Sequence, residues 1–358
     1  MTSLRPSKLA AIHLLRPGML LAAAALLAPG AQAQSSYPNP YTISTLAGKV
    51  GFVGGTTDGT GTSALFEEPA GESIDGNGNV YIADTASDTI RMITPSGTVT
   101  TIAGTPGVVG SSDGTGAAAS FSIPSSVAVD GSGNIFVADL GNNIIRKIAP
   151  GGVVTTIAGK AGVVGSADGT GPAASFASPY GIAVDGSGNI YVSDQLNNTI
   201  RKVTSAGVVT TVAGTAGVAG ITDGQGTVAR FRQPYGIRTD SAGNIYVADT
   251  GNSTIRKVTP SGAVTTVAGL VGKAGYLDAT GTAAMFNAPV GVALDSGGDI
   301  FVADYNNNAI RKVNGSGAVT TVAGNAKFYG SVNGTGSQAE FNGPFDVVSD
   351  PSGNVYVS

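Results

Sequence analysis

The sequence predicts an all-β fold: a six-bladed β-propeller of four-stranded antiparallel blades, the last of which is incomplete. Three observations support this prediction. One unit of 55 residues repeats along most of the chain, each unit holds four short apolar segments, and residues that favour turns separate those segments. Composition agrees, since 55 of 358 residues are glycine and only 12% are charged. Because cysteine is absent, packing and strand pairing must supply the stability.

The repeat runs in register from near residue 58 to the last residue. Three of its positions carry the same residue in all six copies: Phe66, Phe121, Phe176, Phe231, Phe286 and Phe341; Pro69, Pro124, Pro179, Pro234, Pro289 and Pro344; Asp75, Asp130, Asp185, Asp240, Asp295 and Asp350. An arginine recurs in five: Arg91, Arg146, Arg201, Arg256 and Arg311. Repetition on this scale indicates a ring or a solenoid, and four strands per unit favour the ring.

One unit shows the expected blade. Apolar strands at 181–184, 190–192, 199–203 and 208–213 are joined by turns rich in glycine, asparagine and serine. The predicted blades are 70–104, 125–159, 180–214, 235–269, 290–324 and 345–358. Residues 41–48 match a fourth strand, so we expect them to complete the last blade. The third strand of that blade is missing, which suggests a fragment of a longer protein.

The second strand and the turn after it carry a family resemblance. Residues 134–148, NIFVADLGNNIIRKI, recur with small changes at 244–258 and in the other complete units. This segment resembles the NHL repeat. The resemblance implies a propeller but not one function, since such propellers serve as binding, structural and occasionally enzymatic modules.

Residues 1–33 have the features of a secretory signal peptide. Arg5, Lys8 and Arg16 form a basic stretch that precedes an apolar run at 19–27. Small residues follow at Ala31 and Ala33. We expect cleavage after Ala33 and a secreted or periplasmic propeller at 34–358, with no membrane insertion after cleavage.

Charge and histidine content exclude several functions. Residues 34–358 carry 16 Lys and Arg against 23 Asp and Glu, a net charge of −7, which disfavours nucleic acid as a partner. The only histidine is His13, inside the predicted signal. Zinc chemistry on histidine ligands and Ser-His-Asp catalysis are therefore excluded for the mature chain.

Polar residues present in every unit are interpreted as structural. The strand-end aspartates Asp84, Asp139, Asp194, Asp249 and Asp304 are expected to form side-chain-bonded turns, and the repeated arginines to cover the blade surface. Each Asp-Gly-Thr-Gly loop offers one carboxylate, which favours a turn over a calcium site. The weak calcium candidates are Asp58, Asp113, Asp168, Asp223 and Asp278. We expect no other cofactor.

Residues that break the repeat are the candidate binding site. They cluster around the first strand and its entry, where the architecture implies one mouth of the central channel. They are Glu67, Glu68, Glu72, Tyr180, Arg230, Arg232, Tyr235, Arg238, Phe345 and Asp346. Drift of the repeat on solvated loops would produce the same pattern.

Together these features predict an exported scaffold that binds a protein or glycan ligand, without catalysis and as a monomeric propeller. Two alternatives remain. One is a calcium-dependent lactonase-like hydrolase with ligands such as Glu72 and Asp346, since calcium needs only oxygen ligands. The other is a structural spacer in a longer secreted protein.

Overall fold

Consecutive strands of the chain form five blades, each an antiparallel sheet whose strands follow one another in order. The computed structural model describes residues 41–49, 54–326 and 328–358, together with the backbone of Ala11–Pro17. The four main strands of the blades are, in order, Pro69–Ile74, Val80–Asp84, Thr89–Ile93 and Thr98–Ala103; Pro124–Val129, Ile135–Asp139, Ile144–Ile148 and Val153–Ala158; Pro179–Val184, Ile190–Asp194, Thr199–Val203 and Val208–Gly214; Pro234–Thr239, Ile245–Asp249, Thr254–Val258 and Ala263–Ala268; Pro289–Leu294, Ile300–Asp304, Ala309–Val313 and Val319–Gly324.

The connections between blades add short elements. A two-residue strand extends the outer edge of four blades at Gly59–Thr60, Gly114–Thr115, Gly169–Thr170 and Gly224–Gln225. One-turn 3₁₀ helices lie in the connections at Gly61–Ser63, Gly116–Ala118, Gly171–Ala173, Gly226–Val228, Gly281–Ala283 and Gly336–Gln338, and after the second strands at Thr85–Ser87, Leu140–Asn142, Thr250–Asn252 and Tyr305–Asn307. The Asp-Gly-Thr-Gly loops are thus partly outer strand, which the turn interpretation missed.

A further sheet combines strands that precede the five blades in sequence with strands that follow them. Its strands lie in the order Gly334–Thr335, Tyr41–Gly48, Ala11–Pro17, Val355–Val357 and Val347–Ser349. We call it the end sheet. Val347–Ser349 contacts the first strands of the fifth and first blades, so the end sheet lies between them. The predicted all-β propeller is confirmed, but with five blades of consecutive strands in place of the predicted six.

Ala11–Pro17 occupies an unexpected position. Its backbone pairs antiparallel with Tyr41–Gly48 on one side and Val355–Val357 on the other. This is the place where the sequence suggested a missing third strand. The same residues belong to the predicted signal peptide, whose other residues lie outside the described ones. Cleavage after Ala33 would therefore remove this strand from the end sheet.

Removing residues 1–33 is expected to lower the melting temperature by at least about 5 °C, because two neighbouring strands lose a backbone partner. The measurement compares purified chains 1–358 and 34–358 by circular dichroism at equal concentration. Equal melting temperatures would show that Ala11–Pro17 contributes nothing to the folded protein.

The hydrophobic core lies between neighbouring blades. In one cluster, Phe176 packs with Ala138 and Ile145 of the second blade and with Ile182 and Val192 of the third. Similar clusters join the other pairs of neighbours, including both sides of the end sheet. Each unit therefore buries its apolar surface only by contact with the next, as expected of a repeat protein.

A buried arginine links the strands of each blade to its preceding connection. In the third blade, Arg201 is fully buried, with Nη1 2.7 Å from Asp194 Oδ2 and Nη2 2.8 Å from Asp168 Oδ1. Its guanidinium carbon lies 5.2 Å from the centroid of the Phe176 ring. The same contacts recur at Arg91, Arg146, Arg256 and Arg311. Because these arginines are buried, the prediction that they cover the blade surface is wrong. Two aspartates compensate the buried charge of each guanidinium group.

Candidate ligand site at the channel mouth

The first strands of neighbouring blades contact one another and so line the centre of the ring. Three repeat positions at one end of these strands vary among the units. One precedes the strand proline, one follows it, and one follows the strand-end aspartate. They carry Glu68, Ile123, Ser178, Gln233, Ala288 and Gly343; Ala70, Ser125, Tyr180, Tyr235, Val290 and Phe345; and Thr85, Leu140, Gln195, Thr250 and Tyr305. We call them the mouth positions.

The backbone at the first mouth position is held in the left-handed region. Ile123 has φ 51° and Ser178 has φ 53°, values that a β-branched residue such as isoleucine rarely adopts. A side chain of the preceding blade fixes this geometry: the Ser178 amide donates to Asn143 Oδ1 at 2.8 Å, and the Ile123 amide donates to Asp88 Oδ1 at 2.8 Å. The fold therefore sets where these side chains emerge, whatever their identity.

Mouth positions enclose a cavity of about 190 Å³. It is lined by Glu68, Thr85, Ile123, Ser125, Leu140, Tyr180, Tyr235, Thr250, Ala288, Val290, Tyr305 and Phe345. Every lining residue occupies a mouth position, so the variable part of the repeat and the cavity coincide. A concave, largely apolar site with a few polar groups is typical of ligand binding.

Four aromatic rings form one side of this cavity. The ring centroids of Tyr180 and Tyr235 are 4.3 Å apart, those of Tyr180 and Phe345 6.0 Å, and those of Tyr305 and Phe345 6.1 Å. The planes are tilted or edge-to-face, arrangements that aromatic pairs prefer. Burial raises the pKa of the Tyr180 hydroxyl well above its usual value, and nearby Tyr235 and Asp346 add to the effect. This hydroxyl therefore stays protonated.

Below the rings, Arg238 crosses the channel. From the fourth blade, its Nη2 donates to the Glu72 carbonyl at 2.6 Å in the first blade and to Asp346 Oδ2 at 3.1 Å in the end sheet. The Glu72 amide also donates to Asp346 Oδ2, at 3.0 Å. Three residues that break the repeat therefore meet here and bridge opposite sides of the ring.

The Glu72 carboxyl is the unusual group of this cluster. It is fully buried where the other blades carry Val127, Ile182, Ile237 and Val292, and neither of its oxygens has a hydrogen-bond partner among the described residues. Burial raises its pKa well above the usual value, the Asp346 charge adds to this, and Arg238 opposes it. Burial therefore favours the neutral form of the Glu72 carboxyl.

The predicted site residues separate into three groups. Glu68, Tyr180, Tyr235 and Phe345 line the cavity, while Glu72, Arg238 and Asp346 form the cluster below it. Glu67, Arg230 and Arg232 do not line it. Arg230 donates from Nη1 to the Thr227 and Ala229 carbonyls of its own loop.

Sequence reasoning missed the lining residues that follow the strand-end aspartates, including Leu140 and Tyr305. It also missed Ile123, Ser125, Ala288 and Val290. Their variation from blade to blade was the signal that could have found them.

The carboxylates considered for calcium have other partners. Asp168 receives hydrogen bonds from Arg201 Nη2 at 2.8 Å and from the Thr211 hydroxyl at 3.0 Å, and Asp58, Asp113, Asp223 and Asp278 are engaged in the same way. Across the described ranges, no three or more His, Cys, Asp or Glu side chains are grouped to hold a metal. Within the same ranges, no helix is long and apolar enough to cross a membrane.

Two units match a known repeat, and two curated proteins are similar to the chain in sequence. The NHL repeat model matches residues 231–258 and 286–313. The chain is 29% identical over 275 residues to the chloroplastic protein SUPPRESSOR OF QUENCHING 1 of Arabidopsis thaliana, covering 72% of this chain and 26% of that protein. It is 28% identical over 293 residues to human NHL repeat-containing protein 2, covering 72% and 40%. The chain thus spans less than half the length of these relatives.

Solved structures share the fold. A Bacteroides thetaiotaomicron protein of unknown function has a TM-score of 0.66 at 20% identity, covering 91% of this chain and 83% of its own. An auxiliary nutrient binding protein from the same organism has a TM-score of 0.64 at 16% identity, covering 87% and 75%. Virginiamycin B lyase from Staphylococcus aureus has a TM-score of 0.50 at 14% identity, covering 81% and 94%.

A binding protein and an enzyme thus share this architecture, so the fold leaves the choice between binding and catalysis open. Two units match the NHL repeat, and a relative that aligns over 72% of the chain is named for that repeat, so these findings support an NHL-repeat β-propeller.

Proposed function

We propose that this chain is an exported binding propeller whose channel-mouth cavity takes part of a protein or glycan ligand. After cleavage, the remaining strands of the end sheet lie between the fifth and first blades and close the ring around the cavity. One observation carries the proposal: every residue that lines this cavity occupies a position that varies between otherwise similar units. Residues that build blades recur in every unit, whereas a ligand site requires asymmetry.

The chemistry of the cavity supports binding. Its aromatic rings offer large, rigid contact areas at low cost in conformational entropy, and its threonine and serine hydroxyls can orient a ligand. The cluster of Glu72, Arg238 and Asp346 lies below it.

The calcium-dependent hydrolase receives less support. Glu72 and Asp346 are two carboxyls, one Asp346 oxygen and the Glu72 carbonyl already accept from Arg238, and calcium takes six to eight oxygens. The residues present therefore do not fit such an ion, and we derive no catalytic step through it.

Replacing Tyr235 by alanine is expected to weaken binding of the ligand at least about tenfold, because the change removes one of two rings 4.3 Å apart. The chain is first screened against glycan and peptide arrays, and the affinity of each hit is then measured by calorimetry. Tyr329→Ala is the matched control, since Tyr329 is 75% exposed and does not line the cavity. Hits that Tyr235→Ala leaves unchanged, or an absence of hits, would favour the spacer function.

Export is tested separately. The full chain is expressed in a bacterium that recognises the signal. We expect the protein to leave the cytoplasm and to have the mass of a chain that begins at Gln34. An exported chain that keeps residues 1–33 would contradict the proposed cleavage.

A further inference from the structure

We propose that the channel-mouth cavity selects a cationic group, an ammonium flanked by apolar carbon, as the part of the ligand that it binds. This inference rests on the proposed function and names the ligand chemistry at the same site. It follows from three features: the single charged residue among those that line the cavity, the four aromatic rings that line the same cavity, and the positions of the neighbouring arginines.

Of the described residues that line the cavity, Glu68 alone is charged. It holds the mouth position before the proline in the first blade, where the other units carry neutral side chains such as Ile123 and Ala288. Its backbone is fixed in the left-handed region at φ 55°. Within the described part of the chain its carboxylate makes no hydrogen bond or ion pair, so it can accept a bond from a bound cation.

The aromatic rings belong to other blades than Glu68 and to the end sheet. Tyr180, Tyr235 and Tyr305 come from the third, fourth and fifth blades, and Phe345 from the end sheet. Because the neighbouring rings are tilted or edge-to-face, they are not stacked flat upon one another. The face of an aromatic ring is negative and attracts a cation within about 6 Å of its centroid.

No arginine neutralises this site. Arg230 turns back to carbonyls of its own loop, and Arg232 does not line the cavity. Arg238 lies below the rings and donates to Asp346 and to three carbonyl oxygens. Among the described residues, the cavity wall therefore combines Glu68 with aromatic and aliphatic side chains and includes no Lys, Arg or His. A cation with an apolar body fits this combination better than a neutral sugar or an anion does.

The size of the cavity limits the ligand to a small group. About 190 Å³ accommodates a trimethylammonium head group or the end of a lysine side chain, but not a folded domain. The group could belong to a free amine or to a basic side chain of a protein. Both sources share the chemistry proposed here and are separated by the choice of probes.

The test measures the binding of four probes to the purified chain by calorimetry. Choline represents a free quaternary amine, and N-acetyl-lysine methylamide represents a basic side chain. 3,3-Dimethyl-1-butanol has the shape of choline without the charge, and glucose represents a neutral sugar. We expect at least one cation to bind about tenfold more tightly than the neutral isostere. The tighter of the two cations identifies the source.

Variants assign the effect to residues. Glu68→Gln is expected to weaken cation binding about fivefold to tenfold and to leave the neutral isostere unchanged. Glu67→Gln is the matched control, because its carboxylate is adjacent in sequence but does not line the cavity. Tyr235→Ala should weaken both kinds of probe.

Three outcomes would overturn the inference: equal affinity for choline and its isostere, cation binding that Glu68→Gln does not change, or cation binding that Glu67→Gln weakens equally. If glucose alone binds and Tyr235→Ala abolishes that binding, the cation inference fails and the proposed function stands. If no probe and no array ligand binds, both fail.

Discussion

Replacing Arg201 by methionine is expected to lower the free energy of unfolding by about 3–5 kcal/mol, the cost of leaving a buried charge without its partner. Arg201 and Asp194 are both fully buried, and their charged atoms lie 2.7 Å apart. Methionine retains much of the side-chain volume, so the loss reflects charge more than packing. Asp168, the other partner, is about half exposed, and water can replace the arginine there.

This loss should grow with pH. Burial raises the pKa of Asp194 to about 6, while Asn197, the Ala177 amide and Arg201 act in the opposite direction. Removing Arg201 raises that folded-state pKa further, whereas the unfolded value stays near 3.8. Up to about pH 6 the folded wild type and the folded variant both hold this proton, so the difference between them is constant. As pH rises through about 6, the wild type releases the proton while the variant retains it, and the variant loses stability relative to the wild type.

Urea denaturation at pH 5 and pH 8 measures both effects. The double variant Arg201→Met with Asp194→Asn should recover part of the loss, because it removes the unpaired charge. A loss below about 1 kcal/mol at pH 8 would show that the arginine network does not hold the blade together.

Much of the fold was predictable because each unit makes its main contacts within itself or with the next unit. The spacing of Phe176 and the turn at Ser187 predict the four strands of the third blade, and those strands form. The buried position of Arg201 was not predictable from its surroundings in sequence. Its partners lie 7 and 33 residues earlier, and only the folded blade brings them together.

The end sheet shows a second limit. Ala11–Pro17 pairs with two strands, yet its apolar and basic residues also match a secretory signal. Composition does not distinguish an apolar strand from an apolar leader of similar length. The sequence therefore predicted a gap where the structure places this strand.

Asymmetry between units located the candidate site, but only in part. Tyr180 and Phe345 stood out against the small residues Ala70 and Ser125 of other units, and both line the cavity. Tyr305 was overlooked because the position after each strand-end aspartate was assigned to a turn. Arg230 also differs from the other units at its position, but its side chain donates to carbonyls of its own loop and does not line the cavity. A long, flexible side chain can point away from a site near its backbone.

Replacing Glu72 by valine is expected to raise the free energy of unfolding by about 1–3 kcal/mol at pH 7, the cost of a buried polar group without partners. Valine is the residue of the second and fifth blades at this position, where Val127 and Val292 are fully buried. The gain should appear in urea denaturation as a higher midpoint with an unchanged slope.

The pH dependence identifies the carboxyl as the cause. Below about pH 4.5 both the folded and the unfolded states hold the Glu72 proton, and ionisation adds no cost. Above that pH the unfolded chain releases its proton while the folded chain retains it, so stability falls by up to about 1.4 kcal/mol per pH unit until the raised folded-state pKa is reached. The advantage of Glu72→Val should therefore increase between pH 4.5 and 7, and Glu72→Gln should show the same pH-dependent part.

A constant difference across this range would show that Glu72 does not titrate as inferred. If instead Glu72→Val is the less stable protein at pH 7, then the carboxyl contributes to the cluster with Arg238 and Asp346 more than its burial costs. In either result, ligand binding should be measured with the same variants, since the cavity lies directly above this cluster. A variant that is more stable but no longer binds would show that the first blade keeps a carboxyl at this position for ligand binding, at a cost in stability.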